Sequence, residues 1–117
     1  MTESEMKQRT KAFALRVIKL VGSLPNTLVA RRLGDQLLRA GTSVAANYRA
    51  ACRARSKADF SSKLGIVEEE ADESALWIEM LGDARVMPSK RLANLLGEAE
   101  QLTAIVVASR KTVSGHR

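Results

Sequence analysis

Residues 27–55 read TLVARRLGDQLLRAGTSVAANYRAACRAR, and this stretch decides the fold. Ala30, Leu33, Leu37, Ala40, Val44, Asn47 and Ala51 step by three and four without a break. That spacing places them on one face of a helix. At about 1.5 Å per residue the helix would span roughly 43 Å. Gly34 and Gly41 lie inside it. Each costs about 1 kcal/mol against alanine, so a reason is expected, and close approach of another helix is the expected one. Leu38, Gly41, Ala45, Tyr48 and Cys52 form a second stripe, mostly of small residues. Two such stripes predict neighbours on two sides.

The same spacing extends outward in both directions. Upstream, Met6, Thr10, Phe13, Val17, Leu20 and Leu24 line one face of a helix over about 4–22, which Gly22 and Pro25 stop. Asn26 or Thr27 can cap the helix over 27–55. Downstream, Ser56 with Asp59 three residues on resembles a capping box with Asp in place of Glu. Phe60, Leu64, Val67, Ala71, Ser74, Ile78 and Leu81 then predict a helix over about 59–84. Its second stripe, Ile66, Glu70, Glu73, Trp77 and Met80, is part apolar and part acidic. After Pro88, Ser89 is the expected cap of a helix over about 89–112, carried by Leu92, Leu95, Ala99, Leu102, Val106 and Ser109. His116 and Arg117 are expected to fray.

Short links force neighbouring helices to run antiparallel. The expectation is therefore all-α: a single domain over 1–117, folded as an antiparallel up-down-up-down four-helix bundle. A lone bundle buries one stripe per helix. The extra stripes on the second and third helices predict a homo-oligomer, with Gly41, Tyr48, Trp77 and Met80 as candidate interface residues, Tyr48 alternatively packing in the core with its hydroxyl bonded. Asn47 falls within the main seam, with Ser43 close by. A buried amide of this kind reads as a register device that selects alignment and copy number.

Composition narrows the chemistry. Among 117 residues 45% are hydrophobic, enough for a core, yet only Phe13, Tyr48, Phe60 and Trp77 are aromatic. Cys52 is the one cysteine, which rules out an internal disulfide or a CxxC pair. His116 is the one histidine, so a histidine triad, a zinc site of usual ligands or a di-iron pair lacks its imidazoles. Glu68, Glu69, Glu70, Asp72 and Glu73 fan around a helix and read as a salt-bridged surface rather than a hard-cation site. No cofactor is expected. No apolar run approaches the roughly 18 residues of a membrane span, and residues 1–7 are polar. These features point to the cytoplasm.

Charge is unevenly spread. The net charge is +6, but residues 1–63 carry 13 of the 19 Lys and Arg and only 4 acids, while residues 64–84 carry no Lys or Arg and seven acids. Arg31, Arg32, Arg39, Arg49, Arg53, Arg55 and Lys57 mark the second helix and the turn after it. Arg49, Arg53 and Lys57 step by four and share a face. They can track phosphates, or pair with Glu68, Glu69, Asp72 and Glu73 of the antiparallel helix. With no aromatic residues interleaved among them, base stacking on a single strand is not expected.

The run Gln36-Leu37-Leu38-Arg39-Ala40-Gly41-Thr42-Ser43-Val44-Ala45-Ala46-Asn47-Tyr48-Arg49, followed by Arg53-Ala54-Arg55-Ser56-Lys57-Ala58-Asp59-Phe60, resembles the family of the 23S rRNA intervening-sequence protein. So does Glu69-Glu70-Ala71-Asp72-Glu73-Ser74-Ala75-Leu76-Trp77-Ile78-Glu79-Met80-Leu81. The resemblance implies a four-helix bundle in a ring-like homopentamer, with no enzymatic activity. It also implies kinship with the accessory variability protein of diversity-generating retroelements, a basic pentamer that binds nucleic acid and a reverse transcriptase. Members often carry an acid after Asn-Tyr-Arg, where this chain has Ala50. Five copies at +6 each would carry about +30, enough to attract a polyanion at low salt.

The resulting expectation is a non-enzymatic oligomeric bundle that binds RNA or DNA through its basic surface. The alternative is an assembly module for a protein partner without nucleic-acid contact. An enzyme is disfavoured because nucleophile and acid–base pairs are missing from the sequence.

Overall fold

In the computed structural model, which describes residues 1–114, side-chain caps set where three of the helices begin. Helix α1 spans Glu3–Gly22. The Thr2 hydroxyl accepts the Glu5 amide at 3.0 Å, and the Glu5 carboxylate accepts the Thr2 amide at 2.7 Å. This reciprocal box satisfies two of the amides left open at a helix start. Helix α2 spans Leu28–Ala51, with Thr27 accepting the Ala30 amide at 3.2 Å. Helix α3 spans Lys57–Asp83, with Ser56 accepting the Asp59 amide at 3.0 Å. The Asp59 carboxylate accepts from the Arg55 amide instead of returning to Ser56. Helix α4 spans Ser89–Ser114, so Ser89, expected as its cap, is its first residue. The expectation for His116 and Arg117 lies outside the described residues.

The largest departure from the expected boundaries is at the end of α2. Helix α2 ends at Ala51, four residues before 55. Arg53 and Ala54 donate backwards to the carbonyls of Ala50 and Ala51, each at 3.0 Å, which tightens the last turn. Arg53 and Arg55 therefore sit in the turn that leads to α3 rather than on the helix.

The helices pack as a rod of 49 × 20 × 20 Å. Helix α1 lies against α2, α2 against α3 and α3 against α4, while α1 and α4 close the bundle with the sparsest contact of the four. Arg9 ties that last seam. Its Nε and Nη2 donate to the two carboxylate oxygens of Glu98 at 2.8 and 2.9 Å, and Nη2 also donates to Gln101 at 2.7 Å. The core is assembled from Phe13, Val17, Leu37, Val44, Leu64, Val67, Ile78, Leu81, Leu102 and Val106, all essentially without solvent contact. Their stripes are what the three/four spacing prescribes.

Helix α2 shows where periodicity alone was misleading. The buried line is Ala30, Gly34, Leu37, Ala40, Gly41, Val44, Tyr48 and Ala51. It takes Gly34 rather than Leu33 at one end, and Tyr48 rather than Asn47 at the other. Ser43 and Asn47, expected as a buried polar register, are only half-buried. The Asn47 amide donates to the Ser43 carbonyl of its own helix at 2.8 Å. Gly41 and Tyr48, expected at an interface between copies, are buried within the protomer. The reason is topological: in an up-down bundle α2 has α1 on one side and α3 on the other, so its two stripes are both used internally.

Gly41 shows how tightly α1 seats. A Cβ there would lie 2.8 and 2.9 Å from the two Cγ atoms of Val17. At Gly34 a Cβ would lie 3.0 Å from a methyl of Leu24. Gly97 in α4 is different, with no neighbouring atom within 4 Å of its would-be Cβ. Gly97→Ala should therefore raise stability by up to about 1 kcal/mol, the helix-propensity gain. Gly41→Ala has the same gain, but overpacking opposes it by roughly 1–3 kcal/mol, so it should lower stability. Urea melts of the two variants test this, and equal shifts of one sign would contradict it.

Candidate functional site

Six cations converge at one end of the bundle. Antiparallel packing of α1 on α2 brings Lys7 and Lys11 to the level of Arg49. Lys7, Gln8 and Lys11 from α1 and Ala45, Ala46 and Arg49 from α2 line one shallow depression. Ala46 and Arg49 also line a second one, which continues over Ala50, Arg53 and Arg55 to Asp59 and Lys63 of α3. The two adjoin along Ala46 and Arg49 and together make a trough lined by alanines and cations. Lys7 and Lys11 are one turn apart, so their Cα atoms are separated by about 6 Å along the axis.

The one acid in the trough is already engaged. Asp59 accepts from Lys63 Nζ at 2.9 and 3.1 Å. That bond first, and the Arg55 amide second, hold its carboxyl below the usual aspartate range.

Four other acids are paired elsewhere. Arg39 reaches from α2 to Glu70 and Glu73 of α3, at 3.1 Å to Glu70 and in a short contact to Glu73. Arg110 of α4 pairs with Glu68, and Arg9 of α1 with Glu98. Such partly exposed pairs contribute about 0–1 kcal/mol each. Their larger effect is on where positive charge remains. Among the described residues, Arg31, Arg32, Arg49, Arg53, Arg55 and Lys57 form no ion pair.

The structure thus splits the basic set read from the sequence. Arg31 and Arg32 lie near the start of α2, about 27 Å along the axis from Arg49. Arg31 donates to the Asn26 side chain at 2.7 Å. Arg39 is answered by two carboxylates. Arg49, Arg53 and Arg55 line the trough, and Lys57 borders a separate recess beside Arg55, Cys52 and Phe60. Lys7, Lys11 and Lys63 were not singled out by sequence. The four-residue step from Lys7 to Lys11 was legible, but not which face of α1 meets α2.

A second surface lies along the outer groove between α2 and α3, where Arg39 meets Glu73. Trp77, one turn beyond Glu73, is half-buried and donates its Nε1–H to the Glu73 carboxylate at 3.0 Å. Nearby along α3, Leu76 and Met80 are exposed at 47% and 39%. Leu28, at the start of α2, is exposed at 58%. Of the four residues expected at an interface between copies, Trp77 and Met80 are accessible, while Gly41 and Tyr48 are enclosed.

Burial pushes the Cys52 thiol above its ordinary range, so it is held protonated and is a weak nucleophile. Burial likewise pushes the Tyr48 phenol upward. Among the described residues no group of three or more His, Cys, Asp or Glu side chains gathers as for a metal ion. No helix among them is long and apolar enough to cross a membrane.

Bundle and charge pattern together define a small basic four-helix-bundle protein. The chain belongs to the family described as 23S rRNA-intervening sequence protein, whose model matches residues 2–108. Among solved structures it is similar to a protein of unknown function from the S23 ribosomal protein family of Bacteroides thetaiotaomicron. The two are 29% identical with a TM-score of 0.85, over 95% of this chain and 99% of that one. A search of curated proteins gives no match.

Glu73 gives a pH handle on the α2–α3 groove. The Trp77 indole first, and Arg39 second, hold its carboxyl below the ordinary glutamate value of 4.5. A depressed folded-state value means that the contribution to stability is complete above 4.5 and is lost as pH falls through the lower folded value. Trp77 fluorescence should therefore change with a midpoint below pH 4.5, and Glu73→Gln should remove that transition. A midpoint at or above 4.5 would contradict the geometry.

Proposed function

We propose that the protein is a non-enzymatic four-helix bundle that self-associates and holds nucleic acid on its positive surface. The carrying observation is the allocation of charge. Glu68, Glu70, Glu73 and Glu98 are taken up by Arg110, Arg39 and Arg9, while Arg49, Arg53 and Arg55 form no ion pair among the described residues. A surface of that kind attracts polyanions by counterion release, without reading sequence. The family's printed description, which refers to an intervening sequence of 23S rRNA, agrees with an RNA ligand.

Self-association rests on the outer α2–α3 groove. Leu28, Trp77 and Met80 leave apolar surface there that one protomer does not cover. A homopentameric ring is the arrangement that the family resemblance implies, and cytoplasmic location fits a single cysteine with no internal disulfide partner. A second reading has the same groove take a different protein, making the bundle an assembly module; Leu76 and Ile66, exposed on α3, favour it.

Filter binding to random RNA at about 50 and about 200 mM salt separates these readings. Six phosphate contacts predict a loss of roughly a thousandfold in affinity across that interval. Absence of binding at the lower salt would sink the nucleic-acid reading. Native mass spectrometry should give a multiple of 12.8 kDa, and Trp77→Glu should shift it to the single chain. A wild-type monomer at micromolar concentration would remove self-association.

A further inference from the structure

We infer that the trough across α1, α2 and the start of α3 is the contact site for the phosphate backbone of a nucleic-acid double helix. The inference rests on the nucleic-acid reading above and assigns it a place and a mode. Lys7 and Lys11 form one rail, and Arg49, Arg53, Arg55 and Lys63 the other. Ala45 and Ala46 lie with Lys7, Lys11 and Arg49, and Ala50 with Arg49, Arg53, Arg55 and Lys63; none presents bulk, so a sugar–phosphate strand can approach the helix backbone closely. Asp59, the acid in the trough, is engaged by Lys63 and the Arg55 amide and subtracts one charge from six.

Two further observations fix the mode. No aromatic side chain lines either depression, so nothing there offers a platform on which an unpaired base could stack. The cations are all Lys and Arg at helix-turn spacing or in an adjoining turn, which suits a regular line of phosphates rather than base edges. Binding is therefore independent of base sequence and steep in salt. Arg31 and Arg32, some 27 Å away along α2, take no part.

The test uses the full chain with two probes, an RNA duplex and a DNA duplex of about twenty base pairs and mixed sequence. The variants are Lys11→Ala/Arg49→Ala/Arg53→Ala and, for comparison, Arg31→Ala/Arg32→Ala. All five side chains are exposed, and far-ultraviolet circular dichroism checks that the bundle is intact. Lys11→Glu alone serves should the triple variant fold poorly.

The expected result is a more than tenfold loss of affinity in the triple variant. The slope of log affinity against log salt should be smaller by about 3 in the same variant, with the Arg31/Arg32 variant unchanged. Binding of one duplex type alone would support the site and assign its source. Unchanged binding in the triple variant, or a loss confined to the Arg31/Arg32 variant, would overturn this site and leave the nucleic-acid reading standing. Strong preference for one base sequence would overturn the backbone mode. Failure of the wild type to bind either duplex would overturn both.

Discussion

The contact between Gly41 and Val17 governs much of the bundle's geometry. Val17 is fully enclosed, and the space opposite it holds no room for even one added methyl group. Helix α1 can therefore lie this close to α2 only at this register. Seated there, α1 covers Gly34, Gly41 and Tyr48 and completes a core that α2 and α3 alone would leave open. The same register carries Lys7 and Lys11 to the level of Arg49. One steric constraint thus sets both the depth of the core and the composition of the basic trough.

Helix α3 is the other organiser. It lies between α2 and α4, and its inner line of Leu64, Val67, Ala71, Ser74, Ile78 and Leu81 is wholly buried. Ser74 is the polar member of that line, and its hydroxyl donates to the Glu70 carbonyl at 2.8 Å, so burial leaves it satisfied. Outward, α3 spends Glu68, Glu70 and Glu73 on cations from both neighbours. These pairs are partly exposed and individually weak. Their consequence is chiefly distributive: Glu68, Glu70 and Glu73 are answered by Arg110 and Arg39, while Arg49, Arg53 and Arg55 keep their charge.

Parts of the site were legible before the fold and parts were not. Arg49 and Arg53 stand one turn apart in any helical reading. Their partners across the trough come from α1, forty residues away in sequence, and only packing selects which face of α1 turns toward them. The converse holds for Gly41 and Tyr48. Stripe counting assigned them to a neighbouring copy because it allowed a lone bundle one buried stripe per helix. Asn47 failed for a finer reason: at about 100° per residue it falls at the margin of the buried arc, whose middle is held by Gly41 and Tyr48.

The sequence by itself determined the helices, their order and their antiparallel alternation. Apolar periodicity, capping residues and short links are local properties that survive without knowledge of partners. It also shows a single cysteine, and so no internal disulfide. The tertiary structure decided how the helices are rotated about their axes. Rotation is set by the fit of Val17 over Gly41 and of Leu24 and Val21 over Gly34, contacts between residues far apart in the chain. Rotation in turn decides which cations share a surface, which acids neutralise them, and which apolar side chains are left facing outward.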